Sequence, residues 1–225
     1  MTRSIYLGPE HLPKYHEWMQ DPKILEATGS EPLTMDQEIE MQQSWRDDPD
    51  KCTFIVLAKE LCRLSNGNNS LDVTENLEAM LGDVNLFLSK IEDDDETEAQ
   101  VVQSTVGEAK EESQTSNDET KKAPEVQAEI DIMIAEKDFQ GKGMGKAATC
   151  MMLLYGATSL NVKRFFCKIN EDNEASLKLF KSIGFVQCDY AACFKQVELE
   201  LKDPIQSLQA ELKQISAYKE INCPL

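Results

Sequence analysis

The chain has 225 residues, of which 41% are hydrophobic, and a formal net charge of −18. That length holds one sizeable domain, or a smaller one with tails, and the hydrophobic share is enough to build a core. The negative balance excludes nucleic acid and anionic membrane surfaces as general partners, because both are polyanions. Half of the charge sits in one stretch: residues 92–125 carry twelve acids against three lysines. Seven cysteines, odd in number and without a CxxC pair, read as thiols in a reducing compartment rather than a disulfide framework. His11 and His16 are the two histidines, too few and too poorly partnered for a zinc site. His16 reads as a packed or surface residue. No apolar run approaches the roughly 20 residues of a membrane span. Met1-Thr2-Arg3-Ser4 opens no apolar signal segment. The expected location is the cytoplasm, with the nucleus left open.

In chain order, Ser4-Ile5-Tyr6-Leu7 is a short candidate first strand. Residues 10–20 are predicted helical from Leu12, Tyr15 and Trp18. Residues 34–46 are a second helix, with Thr34 as N-cap and Gln37 completing a capping box. Residues 52–58 form a buried strand, 61–79 a loop and 81–89 an alternating strand. Residues 91–127 lack aromatics and cannot bury enough apolar surface to offset their ordering entropy. They read as a disordered acidic insertion between two strands, or alternatively as a docking tail for a basic partner. In the strand 128–135, Ile130, Ile132 and Ile134 share one face, opposite Glu129, Asp131 and Met133.

A loop over 136–145 feeds a helix at 146–159. A strand at 164–169 and a helix at 173–183 ending at Gly184 follow. Strands are expected at 185–186 and 191–201. Residues 1–202 read as one α/β domain with mixed strand order, and 203–225 as a terminal helix entered at Pro204.

The densest local signal is Gln140-Gly141-Lys142-Gly143-Met144-Gly145, placed after a strand and opening a helix. Glycines let the backbone approach a ligand and expose successive N–H groups. The helix N-terminus adds positive potential, making a site for phosphate oxygens. Lys142 and Lys146 bracket the turn. A nucleotide-hydrolase P-loop needs Ser or Thr after its lysine, but Ala147 follows Lys146. The dinucleotide fingerprint needs G-x-G-x-x-G and a later acid; neither is present.

The loop matches Q/R-x-x-G-x-G/A at Gln140, Gly143 and Gly145. One helix and one strand later, Asn173-Glu174-Ala175-Ser176-Leu177-Lys178-Leu179-Phe180, with Gly184-Phe185, matches N-x-x-S-x-x-L-[FY]-x-x-x-G-F. Together these resemble the GNAT acetyltransferases. Tyr15–Met19, Ser30–Thr34, Lys51–Leu57 and Gly82–Leu88 are similar to the N-acetyltransferase 9 group within them.

The resemblance implies a mixed sheet splayed between its fourth and fifth strands, with helices on both faces. It implies acetyl-CoA as co-substrate and no metal. The pantetheine arm would bond to backbone near Met133 and Ala135, and the pyrophosphate to Gly141, Lys142, Gly143, Met144 and Gly145. Asn173 and Ser176 would hold the other side. An amine attacks only when neutral, so a base must take its proton; the resemblance points to Glu129, with Asp131 second. Phe180 stands where many relatives place a proton-donating tyrosine, leaving Tyr155 and Tyr190 as donors by type only. The acceptor is a protein N-terminus, a lysine or a small amine, with tubulin implied by the group. The alternative is a non-catalytic acetyl-CoA-binding scaffold associated with microtubules.

Overall fold

The structure, a computed structural model, describes residues 2–6, 8–63, 74–91, 125–202, 204 and 208. Seven strands form one sheet in the order β1-β2-β3-β4-β5-β7-β6. They are β1 (Thr2–Tyr6), β2 (Lys51–Ala58), β3 (Met80–Lys90), β4 (Val126–Ile134), β5 (Val162–Asn170), β6 (Val186–Ala191) and β7 (Gln196–Lys202). All neighbours are antiparallel except β4 and β5. The short start suffices for β1, whose five residues pair with Phe54–Ala58.

Helices α1 (Leu12–Trp18), α2 (Pro22–Thr28), α3 (Met35–Asp47), α4 (Met144–Ser159) and α5 (Glu174–Ile183) flank the sheet. α4 and α5 pack on one face. They build the larger core with Ala128 and Ile130 of β4, Phe165 and Cys167 of β5, and Leu199 and Leu201 of β7. α1 packs on the other face, where Tyr15, Trp18 and Met19 meet Ile55, Leu57, Met80 and Met133. The alternation of β4 explains this division, because Ile130 and Met133 point to opposite sides.

Local chemistry sets the helix limits. In α3 the Gln37 N–H donates to Thr34 Oγ1 at 3.3 Å and the Thr34 N–H to Gln37 Oε1 at 2.9 Å, the expected capping box. α5 starts where Asn173 Oδ1 accepts the Ser176 N–H at 3.1 Å and stops at Gly184, φ 110°.

Several limits differ from the sequence reading. The first helix is shorter than 10–20; a 3₁₀ turn, Pro9–His11, precedes it. α2 was not anticipated. Asp21 accepts the Lys23 N–H, Pro22 starts the helix and Gly29, φ 62°, ends it, but Ile24 and Leu25 are too few apolar residues to show a period. The expected strand 191–201 is broken by a turn, with Lys195 at φ 51° and Phe194 72% exposed. Val197, Leu199 and Leu201 of that stretch lie in β7, whereas the aromatic Phe194 lies in the turn. Val126 and Gln127, assigned to the insertion, belong to β4 and pair with Lys90 and Ser89. Residues 92–124, the body of that insertion, lie outside the described residues. So does the terminal helix except for Pro204 and Leu208; both are helical, and Leu208 is buried in the larger core.

The feature that positions the site is the parallel pair. β4 and β5 are in register from Val126–Val162 to Glu129–Phe166 and no further. Beyond that point β4 continues beside β3 to Ile134 and β5 beside β7 to Asn170. The sheet therefore splays between its fourth and fifth strands. Arg164 clamps the closed end, donating to Gln127 Oε1 at 2.7 Å, Glu200 Oε2 at 2.8 Å and Glu198 Oε1 at 3.2 Å.

Candidate active site

Two strand edges face each other across the splay without pairing. On β4 the Ala135 N–H is donated to the Leu81 carbonyl at 2.8 Å. Backbone groups alternate along a strand, so those of Ile132 and Ile134 turn towards the gap. The Ile134 carbonyl accepts from Gln140 Nε2 at 2.7 Å, and the Ile132 N–H is held by Asp131 Oδ1 at 2.9 Å. Within the stretch near Met133 and Ala135, then, Ile132 and Ile134 present the gap-facing backbone. The Met133 side chain is buried against α1. Gln140 is a loop-positioning residue: it ties the glycine turn to the strand.

Gly141 and Gly143 have φ of 69° and 81°, a left-handed backbone that side chains disfavour. A Cβ at either would meet nothing within 4 Å, so the space beside the loop is open. Gly143 is the N-cap of α4 and, lacking a side chain, leaves the helix's first N–H groups uncapped from within. An open, solvent-facing helix N-terminus of this kind suits phosphate oxygens.

Gly145 serves packing: a Cβ there would come 3.1 Å from Leu179 and 3.5 Å from Ile134. Met144 packs beneath the loop. Lys142 lies over the Phe139 ring at 5.5 Å, and Lys146 reaches the Ser182 carbonyl at 3.5 Å. Asn173 and Ser176 meet in the cap of α5.

Glu129 and Asp131 stand on the opposite face, towards α1. Glu129 is the last β4 residue paired with β5, so it marks the point where the strands part. Lys168 Nζ lies 3.3 Å from Glu129 Oε2. Asp131 reaches solvent, but protein atoms crowd it. That loss of solvation raises its pKa, as does the charge of Glu129, while the Ile132 N–H opposes the shift.

Beside them lies a buried group that the sequence reading missed. Asp83, on β3 opposite Met133, accepts from Asn85 Nδ2 at 2.9 Å and from the Tyr15 hydroxyl at 3.5 Å. Burial pushes its pKa up to about 7, against the two donors. Burial, together with Asp83, Glu38 and Asp131, also keeps the Tyr15 hydroxyl protonated. On α3, the buried Glu38 has Oε1 3.0 Å from His16 Nδ1. The available signal was Asp83 and Asn85, two polar residues inside an apolar central strand.

The tyrosine candidates fall elsewhere. Tyr155 packs edge-on against Phe54 of β2 at 5.4 Å, in the larger core, and Tyr190 bonds to exposed Glu171 at 2.7 Å. Phe180 is 2% exposed and meets Phe185 edge-on at 5.0 Å.

The hairpin of α1 and α2 spans the mouth of the splay. Trp18 Nε1 and Lys14 Nζ reach Glu136 at 3.0 and 3.2 Å, and Lys137 pairs with Asp21 at 3.0 Å. Asn170, ending β5, donates to the Glu26 carbonyl at 3.4 Å.

This arrangement agrees with comparisons to known proteins. The acetyltransferase (GNAT) domain family matches residues 6–186. The chain belongs to the GNAT acetyltransferase family. It is 42% identical over 191 residues to an N-acetyltransferase 9-like protein of Nematostella vectensis, covering 85% of this chain and 77% of that protein. It is 38% identical to the human alpha/beta-tubulin-N-acetyltransferase 9, over 98% of this chain and 90% of that protein.

Spermidine N-acetyltransferase from Vibrio cholerae, solved with CoA and spermine, shares the fold with a TM-score of 0.60 at 16% identity. The match covers 92% of this chain and 98% of that one. A Campylobacter jejuni N-acetyltransferase, solved with acetyl coenzyme A, gives 0.52 at 12% identity, over 90% of this chain and 99% of that one.

As a GNAT enzyme the chain is an acetyl-CoA-dependent N-acetyltransferase, moving acetyl to an amine. The scaffold alternative is not favoured. Among the described residues no cluster of potential metal ligands occurs.

Two predictions follow from this geometry. Acetyl-CoA should raise the melting temperature of the wild type by mass action. Gly143→Asp, which puts a carboxylate beside the helix N-terminus, should abolish that shift while remaining folded; an unchanged shift would remove the loop from the site. The second concerns Asp83, whose folded pKa of about 7 lies above the ordinary aspartate value of about 3.9. Below pH ~4 both states are protonated and no penalty arises. Between pH ~4 and 7 the unfolded state has lost a proton that the folded state keeps, so stability falls as pH rises. Asp83→Asn should therefore gain melting temperature over the wild type at pH 8, and the gain should shrink towards pH 4. A pH-independent difference would contradict the buried, uncompensated carboxyl.

Proposed function

We propose that this chain transfers acetyl from acetyl-CoA to a primary amine of tubulin, with Glu129 as the base. The acceptor rests on the human, mouse and Drosophila melanogaster relatives named alpha/beta-tubulin-N-acetyltransferase 9, the human one matched over nearly the whole chain. The observation that carries the chemistry is the position of Glu129 where β4 and β5 part.

Acetyl-CoA supplies the activated acetyl thioester. The N–H groups at the start of α4, between Gly141 and Lys146, hold its phosphates. Ile132 and Ile134 offer backbone partners to the extended arm. The hairpin of α1 and α2 borders the opposite entry, through which the amine comes. Glu129 takes the amine's proton and shares Lys168 as a counter-charge. Tyr15 supplies a hydroxyl on this face.

The odd number of cysteines and the lack of a CxxC pair support a reducing, cytosolic setting with the nucleus left open. No described helix is long and apolar enough to cross a membrane. The negative charge argues against nucleic acid and anionic lipid surfaces as partners.

Purified protein, acetyl-CoA and tubulin should give acetylated tubulin by mass spectrometry. Base catalysis typically contributes ~10²–10⁴-fold, so Glu129→Gln should lower kcat by at least about tenfold with little change in acetyl-CoA affinity. Unmodified tubulin alongside acetylated small amines would overturn the acceptor. A fully active Glu129→Gln would overturn the base.

A further inference from the structure

The face of the sheet towards α1 carries Asp83, Asn85, Glu129 and Asp131 on neighbouring strands. Asn85 is 5% exposed and turns its Nδ2 to Asp83. Its Oδ1 is buried and has no hydrogen-bond partner among the described residues. A buried carbonyl left in this state is costly, which points to a donor that arrives from outside the chain.

Asn85 pairs in register with Asp131 of β4, and directly opposed residues carry their Cβ atoms about 5 Å apart on the same face. Asp131 accepts from its own neighbouring Ile132 N–H, and among the described residues no ion pair to it occurs. The charged groups around this pair come from every packed element. Among the described residues, Glu129 on β4 pairs with Lys168 on β5, Glu38 on α3 lies 3.0 Å from His16 on α1, and Asp83 on β3 accepts from the neutral donors Tyr15 and Asn85.

Resting on the acetyltransferase reading, we propose that Asn85 and Asp131, oriented by Asp83 and Tyr15, form a subsite that receives the acceptor as a primary ammonium ion. An ammonium has three N–H donors and no acceptor. One donor meets Asn85 Oδ1 and a second meets Asp131, leaving the third towards Glu129, the proposed base. The subsite accordingly selects cationic primary amines over neutral groups of the same size. It holds the amine beside the carboxylate that must deprotonate it before attack. Asn85 and Asp131 thus act in recognition, and Glu129 in proton transfer.

The test uses n-butylamine, cationic at neutral pH, against n-butanol, its neutral counterpart. Each is titrated into the full chain loaded with CoA, which has no acetyl group to transfer. Nuclear magnetic resonance follows the Asn85 side-chain amide and the Ile132 backbone amide. The expected result is saturable shifts of both signals with the amine and none with the alcohol. The apparent Kd for the amine should rise about tenfold or more in Asp131→Asn, which keeps the size of the side chain but loses the charge. Asn85→Leu should weaken amine binding as well, with the CoA affinity of both variants unchanged.

Equal shifts with the alcohol, no saturation, or an unaltered Kd in both variants would overturn the subsite. In turnover assays with an acceptor amine, a raised KM at nearly constant kcat supports it. A loss of kcat at constant KM would make Asp131 a base instead. If CoA fails to bind, the acetyltransferase reading falls, and the same titration of the free protein still decides for or against the ammonium site.

Discussion

The site depends on one break in pairing: β4 and β5 run together only as far as Glu129 and Phe166. Had the two strands stayed paired, the backbone of Ile132 and Ile134 would be spent on β5, and no slot would cross the sheet. Arg164 helps to explain why the gap opens at one end only. Its bonds to Gln127, Glu198 and Glu200 tie β4, β5 and β7 together at the other end. The glycine loop then takes its place from the strand it follows. Gln140 fixes it to Ile134, and the missing side chain of Gly145 lets α4 settle against Ile134 and Leu179.

The two faces of the slot differ in chemistry although one strand lines both. Even-numbered β4 residues, Ala128 and Ile130, are buried beneath α4, whose N-terminus offers N–H donors for an anion. Odd-numbered residues, Glu129 and Asp131, face α1 and offer acceptors for a cation. A strand's two-residue period is enough to keep the proposed phosphate and amine sites apart. Glu129, Asp131, Asp83 and Glu38 lie on the α1 side, whereas Lys142 and Lys146 bracket the loop.

Much of this was legible in the sequence because it is written in short, local patterns. The glycine loop, the Thr34–Gln37 box and the Gly184 stop each depend on residues within a few positions of one another. The alternation of Ile130, Ile132 and Ile134 against Glu129, Asp131 and Met133 is likewise local, and it holds. What escaped were contacts between distant segments. Tyr15 and Asp83 are 68 positions apart, and nothing near either residue announces the other. His16, read as packed or on the surface, faces Glu38 across two helices. α2 was hidden by its length, since seven residues with two half-buried aliphatics make no period. The break between β6 and β7 was hidden by composition, since Phe194 looks like strand but stands exposed in the turn.

The central claim is that the gap-facing backbone of β4 binds the co-substrate as an added strand would. Residue-resolved amide hydrogen exchange, with and without acetyl-CoA, tests it directly. The account predicts that Ile134 gains protection on binding, and that Ile132 does so as its N–H passes from Asp131 to the ligand. Ala135, already bonded to Leu81, should change little. Protection gained at the glycine loop alone, with Ile132 and Ile134 exchanging as in the free protein, would contradict it.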